Sequence, residues 1–93
     1  MIVKTLVIDI HLPASKSLKD KRSIIKSILL RSRQKFNVSA SEVDDIDDHK
    51  NAVLGFAIIT KSNAYADEIL DKCLNLIESE YNVELINLVK ERN

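Results

Sequence analysis

Residues 2 to 12, "IVKTLVIDIHL", put Ile2, Leu6, Ile8, Ile10 and Leu12 on one side of an extended chain and Val3, Thr5, Val7, Asp9 and His11 on the other. A period of two over this length predicts a β-strand. Pro13 ends it, because proline donates no ladder hydrogen bond and pushes its predecessor to extended geometry. Working outward, "NAVLGFAIIT" at 51 to 60 predicts a second deeply buried strand. "NVSASEVD" at 37 to 44 is short and polar enough to be an edge strand, and "YNVELINLVK" at 81 to 90 closes the chain as a fourth. The acidic run before Asn51 then forms a hairpin loop.

Two segments change to helical spacing. Ser17 reads as an N-cap with Asp20 three residues on, a capping box with Asp in place of Glu, so the first helix starts there. Leu18, Ile25, Ile28, Leu29 and, at the margin, Ile24 form its apolar stripe. It runs to about Gln34, with Phe36 packing where it ends. From Ser62 the steps of three and four return through Ala66, Ile69, Leu70, Cys73, Leu74 and Ile77.

The order strand, helix, strand, strand, helix, strand predicts an α+β, ferredoxin-like βαββαβ domain over residues 1–93. Right-handed crossovers interleave its halves into a four-stranded antiparallel sheet with both helices on one face. The first and third strands are the most apolar on both faces and are expected at its centre. The 93 residues, 45% apolar and 30% charged, suit one globular domain, and no apolar run reaches the roughly 18 residues of a membrane span. Met1-Ile2-Val3-Lys4 leads directly into the strand pattern without the features of an export signal, so the expected location is cytoplasmic. Cys73, the lone cysteine, excludes an internal disulfide and reads as helix packing.

The 14 Lys and Arg residues balance 14 Asp and Glu, but not locally. Lys16 to Lys35 holds eight bases and one acid, Asp20, whereas Glu42 to Asp48 holds five acids and no base. At about 100° per residue, Lys19, Arg22, Lys26 and Arg33 fall within roughly 60° of one another, opposite the apolar stripe. Lys16 extends this row, while Lys21 and Arg31 fall at the stripe's edges and are expected to snorkel outward. A solvating face usually mixes signs. Cations at a helix N-terminus also oppose the macrodipole by about 0.3–1 kcal/mol each, which a bound phosphate would offset. The nucleic-acid-binding candidates are therefore Lys16, Lys19, Arg22, Lys26 and Arg33. An acidic loop from a second subunit would offset the same cost.

The far face of the sheet presents Val3, Thr5, Val7, Val53, Gly55, Ala57 and Ile59, with part of Ile86 and Leu88. It lacks aromatics on which bases could stack, Phe56 falling on the core side. Smooth and apolar, it predicts a partner interface through Val3, Thr5, Val7, Val53, Ala57 and Ile59, and a homodimer. No catalytic residues, metal site, cofactor or small-molecule substrate are expected. His11 with Asp9, and His49 with Asp45 and Asp47, form no defined ligand motif. "DDIDDHKN" lacks the central glycine and terminal glutamate of a calcium loop and reads as a solvated turn, with weak magnesium binding as the alternative. With one glycine, Gly55, a glycine-rich phosphate loop is impossible.

At "HLPASKSLKDKR" the chain resembles the YlxP-like family of small bacterial proteins, a domain of unknown function, and the likeness continues through "FNVSASEVD", "LGFAIIT" and "ADEILDKCLNLIE". The family's most recognisable segments fall on Leu18, Lys19, Lys21 and Arg22, and on Glu42, Val43, Asp44 and Asp47. Lys4 stands where members often have glycine, and Asp48-His49-Lys50 where they often have a large apolar residue. The resemblance implies a ferredoxin-like fold, a bacterial cytoplasmic protein and no catalytic residues. Its genes often neighbour those for transcription elongation, translation initiation and ribosome maturation, which implies RNA or ribosome work. The expected function is thus a non-enzymatic RNA- or ribosome-associated module. A protein–protein adaptor using the open sheet face is the alternative, and an effector-binding or hydrolytic domain the third class.

Overall fold

A computed structural model describes every residue from Met1 to Asn93. The alternating segment becomes β1 (Ile2–His11), followed by α1 (Leu18–Phe36), β2 (Ser39–Asp44), β3 (Asn51–Thr60), α2 (Asn63–Glu80) and β4 (Glu84–Arg92). The sheet order is β2-β3-β1-β4 with every neighbouring pair antiparallel, the ferredoxin-like arrangement. β1 and β3 are central because both of their faces are apolar enough to be covered, and their register sets Leu6 opposite Phe56 and Ile8 opposite Leu54.

Both helices lie on the face carrying these residues. Leu6, Ile8 and Ile10 of β1 and Leu54 and Phe56 of β3 meet Ile25 and Ile28 of α1 and Ile69, Leu70, Cys73 and Ile77 of α2, all buried. Each fully buried aliphatic side chain contributes about 1.5–3 kcal/mol of transfer free energy. Burial pushes the Cys73 thiol up to about 11, which leaves it a packing group rather than a nucleophile. On α2, Leu76 is buried and Leu74 only partly so, the reverse of the emphasis expected. Leu76 lies three residues after Cys73 and seven after Ile69, on the same stripe.

The helix ends are capped by local chemistry. Ser17 Oγ accepts from the Asp20 N–H at 3.1 Å, and Asp20 Oδ2 accepts from the Lys16 N–H at 3.0 Å, one residue before the usual return bond of a capping box. Asn37 closes α1 in the left-handed region at φ 54°, which asparagine tolerates, and its N–H reaches Arg33 O at 3.0 Å. Neither helix is long and apolar enough to cross a membrane.

β4 departs from expectation. Its register sets Leu88 opposite Ile8 and Leu85 opposite Ile10, so both point to the helix side, and Val89, opposite Val7, joins the open face. Ile86 is the extra residue of a bulge between the Asp9 and Ile10 pairings. A bulge moves every later residue to the other face, which the strand's alternation could not reveal.

Candidate nucleic-acid interface

α1 carries the expected row. Lys16, in the approach to the helix, and Lys19, Arg22, Lys26 and Arg33 along it are all exposed. The ion pairs of the molecule use Lys4, Lys21, Arg31, Lys72 and Lys90, so none of the five row cations has a carboxylate partner. Arg33 is the one that turns aside. Its Nε donates to Ala40 O at 3.2 Å, and a second guanidinium N–H shares that carbonyl.

Lys21 corrects the sequence reading. Expected to snorkel outward, it is 1% exposed and points inward. The Lys21 ammonium lies 2.8 Å from Glu42 Oε2 and donates to Asp48 O at 2.6 Å and to Asp45 O. The two carbonyls accept hydrogen bonds from the ammonium, and the Glu42 carboxylate balances its charge as an ion pair. The signal was present in the spacing, since Lys21 stands four before Ile25 and seven before Ile28 on the buried stripe. What the helix wheel lacked was the β2–β3 loop, which folds over the start of α1 and supplies the acceptors.

Of the acidic run, Glu42 alone gives its carboxylate to this contact. Asp48 accepts from the N–H groups of Lys50 at 2.8 Å and Asn51 at 3.1 Å and from Asn51 Nδ2 at 3.1 Å, and these bonds hold its carboxyl below the ordinary 3.8. Asp45 sits at φ 57°, a left-handed position that aspartate tolerates in turns. Two loop carbonyls are thus turned toward a lysine. His11 Nδ1 lies 3.0 Å from Asn51 Oδ1, across the β1–β3 ladder, rather than against Asp9.

Between α1 and β2 runs a groove of about 280 Å³, rimmed by Arg22, Lys26 and Arg33 and floored by Ile25, Leu29 and Leu30, with Glu42 at one side. Leu30, 46% exposed, was not singled out in the sequence. A cationic rim over an apolar floor can take phosphates at its edge and something flat and apolar beneath them.

The open sheet face holds Val3, Thr5, Val7, Val53 and Ala57 half-buried, with Ile59 69% exposed. Thr5, Val7, Val43, Gly55 and Ala57 line a shallow depression of about 400 Å³ there. Gly55 is closely approached from β2. A Cβ on it would come within 3.1 Å of Val43 Cγ1, which leans across from β2.

Fold and surface together define a small ferredoxin-like α+β domain with one helix left strongly cationic. The chain belongs to the family described as "Protein of unknown function (DUF503)", which matches residues 3–89. It is 37% identical over 68 residues to "Uncharacterized protein YlxP" of Bacillus subtilis (strain 168), spanning 73% of this chain and 74% of that protein. A de novo designed protein with ferredoxin fold, solved by NMR in solution, superposes with a TM-score of 0.59 at 14% identity, over 100% of this chain and 83% of the design. That likeness concerns the fold alone.

Proposed function

We propose that this protein is a non-enzymatic, RNA- or ribosome-associated module of the bacterial cytoplasm that holds phosphates along α1 through Lys16, Lys19, Arg22 and Lys26, with Arg33 at the far end. One observation carries this reading. Glu42 of β2, the carboxylate at the side of the groove, is paired with Lys21, and none of the row cations has a carboxylate partner within the chain. Four phosphate contacts to single-stranded RNA imply a log–log salt slope of about −3, or roughly 50-fold weaker binding between 50 and 200 mM salt. A single copy therefore binds weakly and gains from a structured or repeated target.

Sedimentation of bacterial lysate on a gradient, with and without nuclease and at two salt concentrations, tests the reading. Co-migration with a ribosomal or RNA-containing fraction, abolished by nuclease or high salt, is the expected result. Migration as free protein under all conditions would remove it.

The adaptor reading is favoured by the exposed Ile59 and the depression beside Gly55. It predicts a complex that survives nuclease, tolerates Arg22→Glu and is lost on Ile59→Lys.

A further inference from the structure

The open face of the sheet carries carboxylates and no lysine or arginine. Register places Asp9 of β1, Asp44 of β2 and Glu84 and Glu91 of β4 on it, beside Val7, Val53 and Val89. The lysine and arginine residues of the strands are Lys4, Lys90 and Arg92, and all three fall on the helix side, Lys4 opposite Ile58, Lys90 opposite Leu6 and Arg92 opposite Lys4. His11, opposite Glu84, is the one basic side chain on the open face.

These four carboxylates are unpaired. The ion pairs of the molecule draw their acids from Glu42, Asp67, Glu68, Asp71 and Glu80. Asp44 accepts only the Asp45 N–H, at 2.8 Å, and Asp9 is half-buried without a partner. Three of the four gather at one end of the face. Asp9 and Asp44 flank Val53, and Glu84 stands at the next open-face position along β1. The remainder of the face is apolar and holds the depression of about 400 Å³ beside Gly55.

We infer that this face binds a segment of another protein that sets apolar side chains beside Lys or Arg, the apolar group in the depression and the base over Asp9 and Asp44. The inference deepens the adaptor reading and does not depend on what α1 binds. The charge selects the occupant. A polyanion is repelled. The same face of a second copy supplies no lysine or arginine in any orientation and would bury the carboxylates unpaired. α1 of a second copy brings cations but only Leu30 as an exposed large apolar residue. A basic and apolar segment meets both halves of the face.

The test selects random peptides of about 12 residues for binding to the intact chain and maps them by amide chemical shifts. Peptides that perturb Val7, Val53 and Gly55 should carry Lys or Arg beside apolar residues and bind less tightly at high salt. Asp9→Asn with Asp44→Asn keeps the shape of both side chains and should weaken these peptides at least about 3-fold, whereas Asp67→Asn with Asp71→Asn should leave them unchanged. Peptides that map to this face without a basic residue, or that bind the Asp9→Asn, Asp44→Asn protein as tightly as wild type, overturn the inference and leave the face a protein contact. A selection that returns no peptide on this face removes the inference and the adaptor reading together. A dimer at about 100 µM closed over the face would make a second copy the occupant and overturn the inference.

Discussion

α1 and α2 occupy equivalent positions in the two halves of the fold and treat charge in opposite ways. α1 carries seven bases and one acid, and α2 five acids and one base. The acids of α2 are largely neutralised within the chain. Asp67 meets Lys4 at 2.6 Å, Asp71 meets Lys90, and Glu68 meets Lys72 at 3.6 Å. Of the bases of α1, only Lys21 and Arg31 are paired with a carboxylate, Arg31 with Glu80 at 2.9 Å across the seam between the helices. Arg31 also donates to Tyr81 Oη at 3.2 Å, and these two bonds raise its pKa.

The pairing of α2 shows that this fold can bring Lys residues from β1 and β4 to a charged helix. To α1 it brings Glu42 and Glu80, which meet Lys21 and Arg31, and no carboxylate for Lys19, Arg22, Lys26 or Arg33. Its Ser27 and Arg31 side faces the end of α2, where Ser27 Oγ lies 2.7 Å from Tyr81 Oη, while Arg22, Lys26 and Arg33 line the groove toward β2. One helix is electrically closed by its own chain and the other is left open to something outside it. A merely solvated face would also be exposed, but it would not concentrate one sign at a helix N-terminus.

The contrast can be broken most forcefully by reversing the open row. Arg22→Glu with Lys26→Glu should lower affinity for single-stranded RNA at least about 100-fold at low salt, with an unchanged melting temperature. Asp67→Asn with Asp71→Asn, on α2, should leave RNA affinity where it was. An equal response from both pairs, read by fluorescence anisotropy, would erase the distinction between the helices.

A second break lies within α1 itself. Lys21→Ala leaves Glu42 and two loop carbonyls without their donor, and should cost about 3 kcal/mol, or roughly 15 °C in melting temperature for a domain of this size. Lys26→Ala, one turn away in the row, should stay within about 0.5 kcal/mol. Calorimetry separates them. Equal, small effects would mean that the buried ammonium is not what holds the β2–β3 loop.

The smallest effect sharpens the α2 side. The Lys4 hydrogen bond, then the charges of Lys4 and Lys90, hold the Asp67 carboxyl below its ordinary 3.8. A group depressed in the folded state stabilises the fold above its unfolded value and loses that contribution as pH falls through its folded value. The melting temperature should therefore drop below about pH 4, and Lys4→Met should make that drop shallower. Identical acid profiles for the two proteins would show that the pair contributes nothing.

Much of this was legible in the sequence where a single element decides it. The alternation of residues 2–12, the Ser17 cap and the row at Lys19, Arg22 and Lys26 depend only on local period and geometry. Lys21 was misjudged because its partners come from β2 and a loop more than 20 residues away. The bond from Arg33, itself exposed as expected, to the Ala40 carbonyl was out of view because that carbonyl belongs to an edge strand. Leu88 changed faces through a bulge that no alternation records. In each case the missing information was tertiary.

The salt dependence of wild-type binding to a single-stranded RNA most directly tests the claim that the α1 row is a phosphate site. Four engaged cations predict a slope of log affinity against log salt of about −3, falling to about −1 or less when Arg22 and Lys26 are reversed. A wild-type slope near zero, or one that the reversal leaves unchanged, would contradict it.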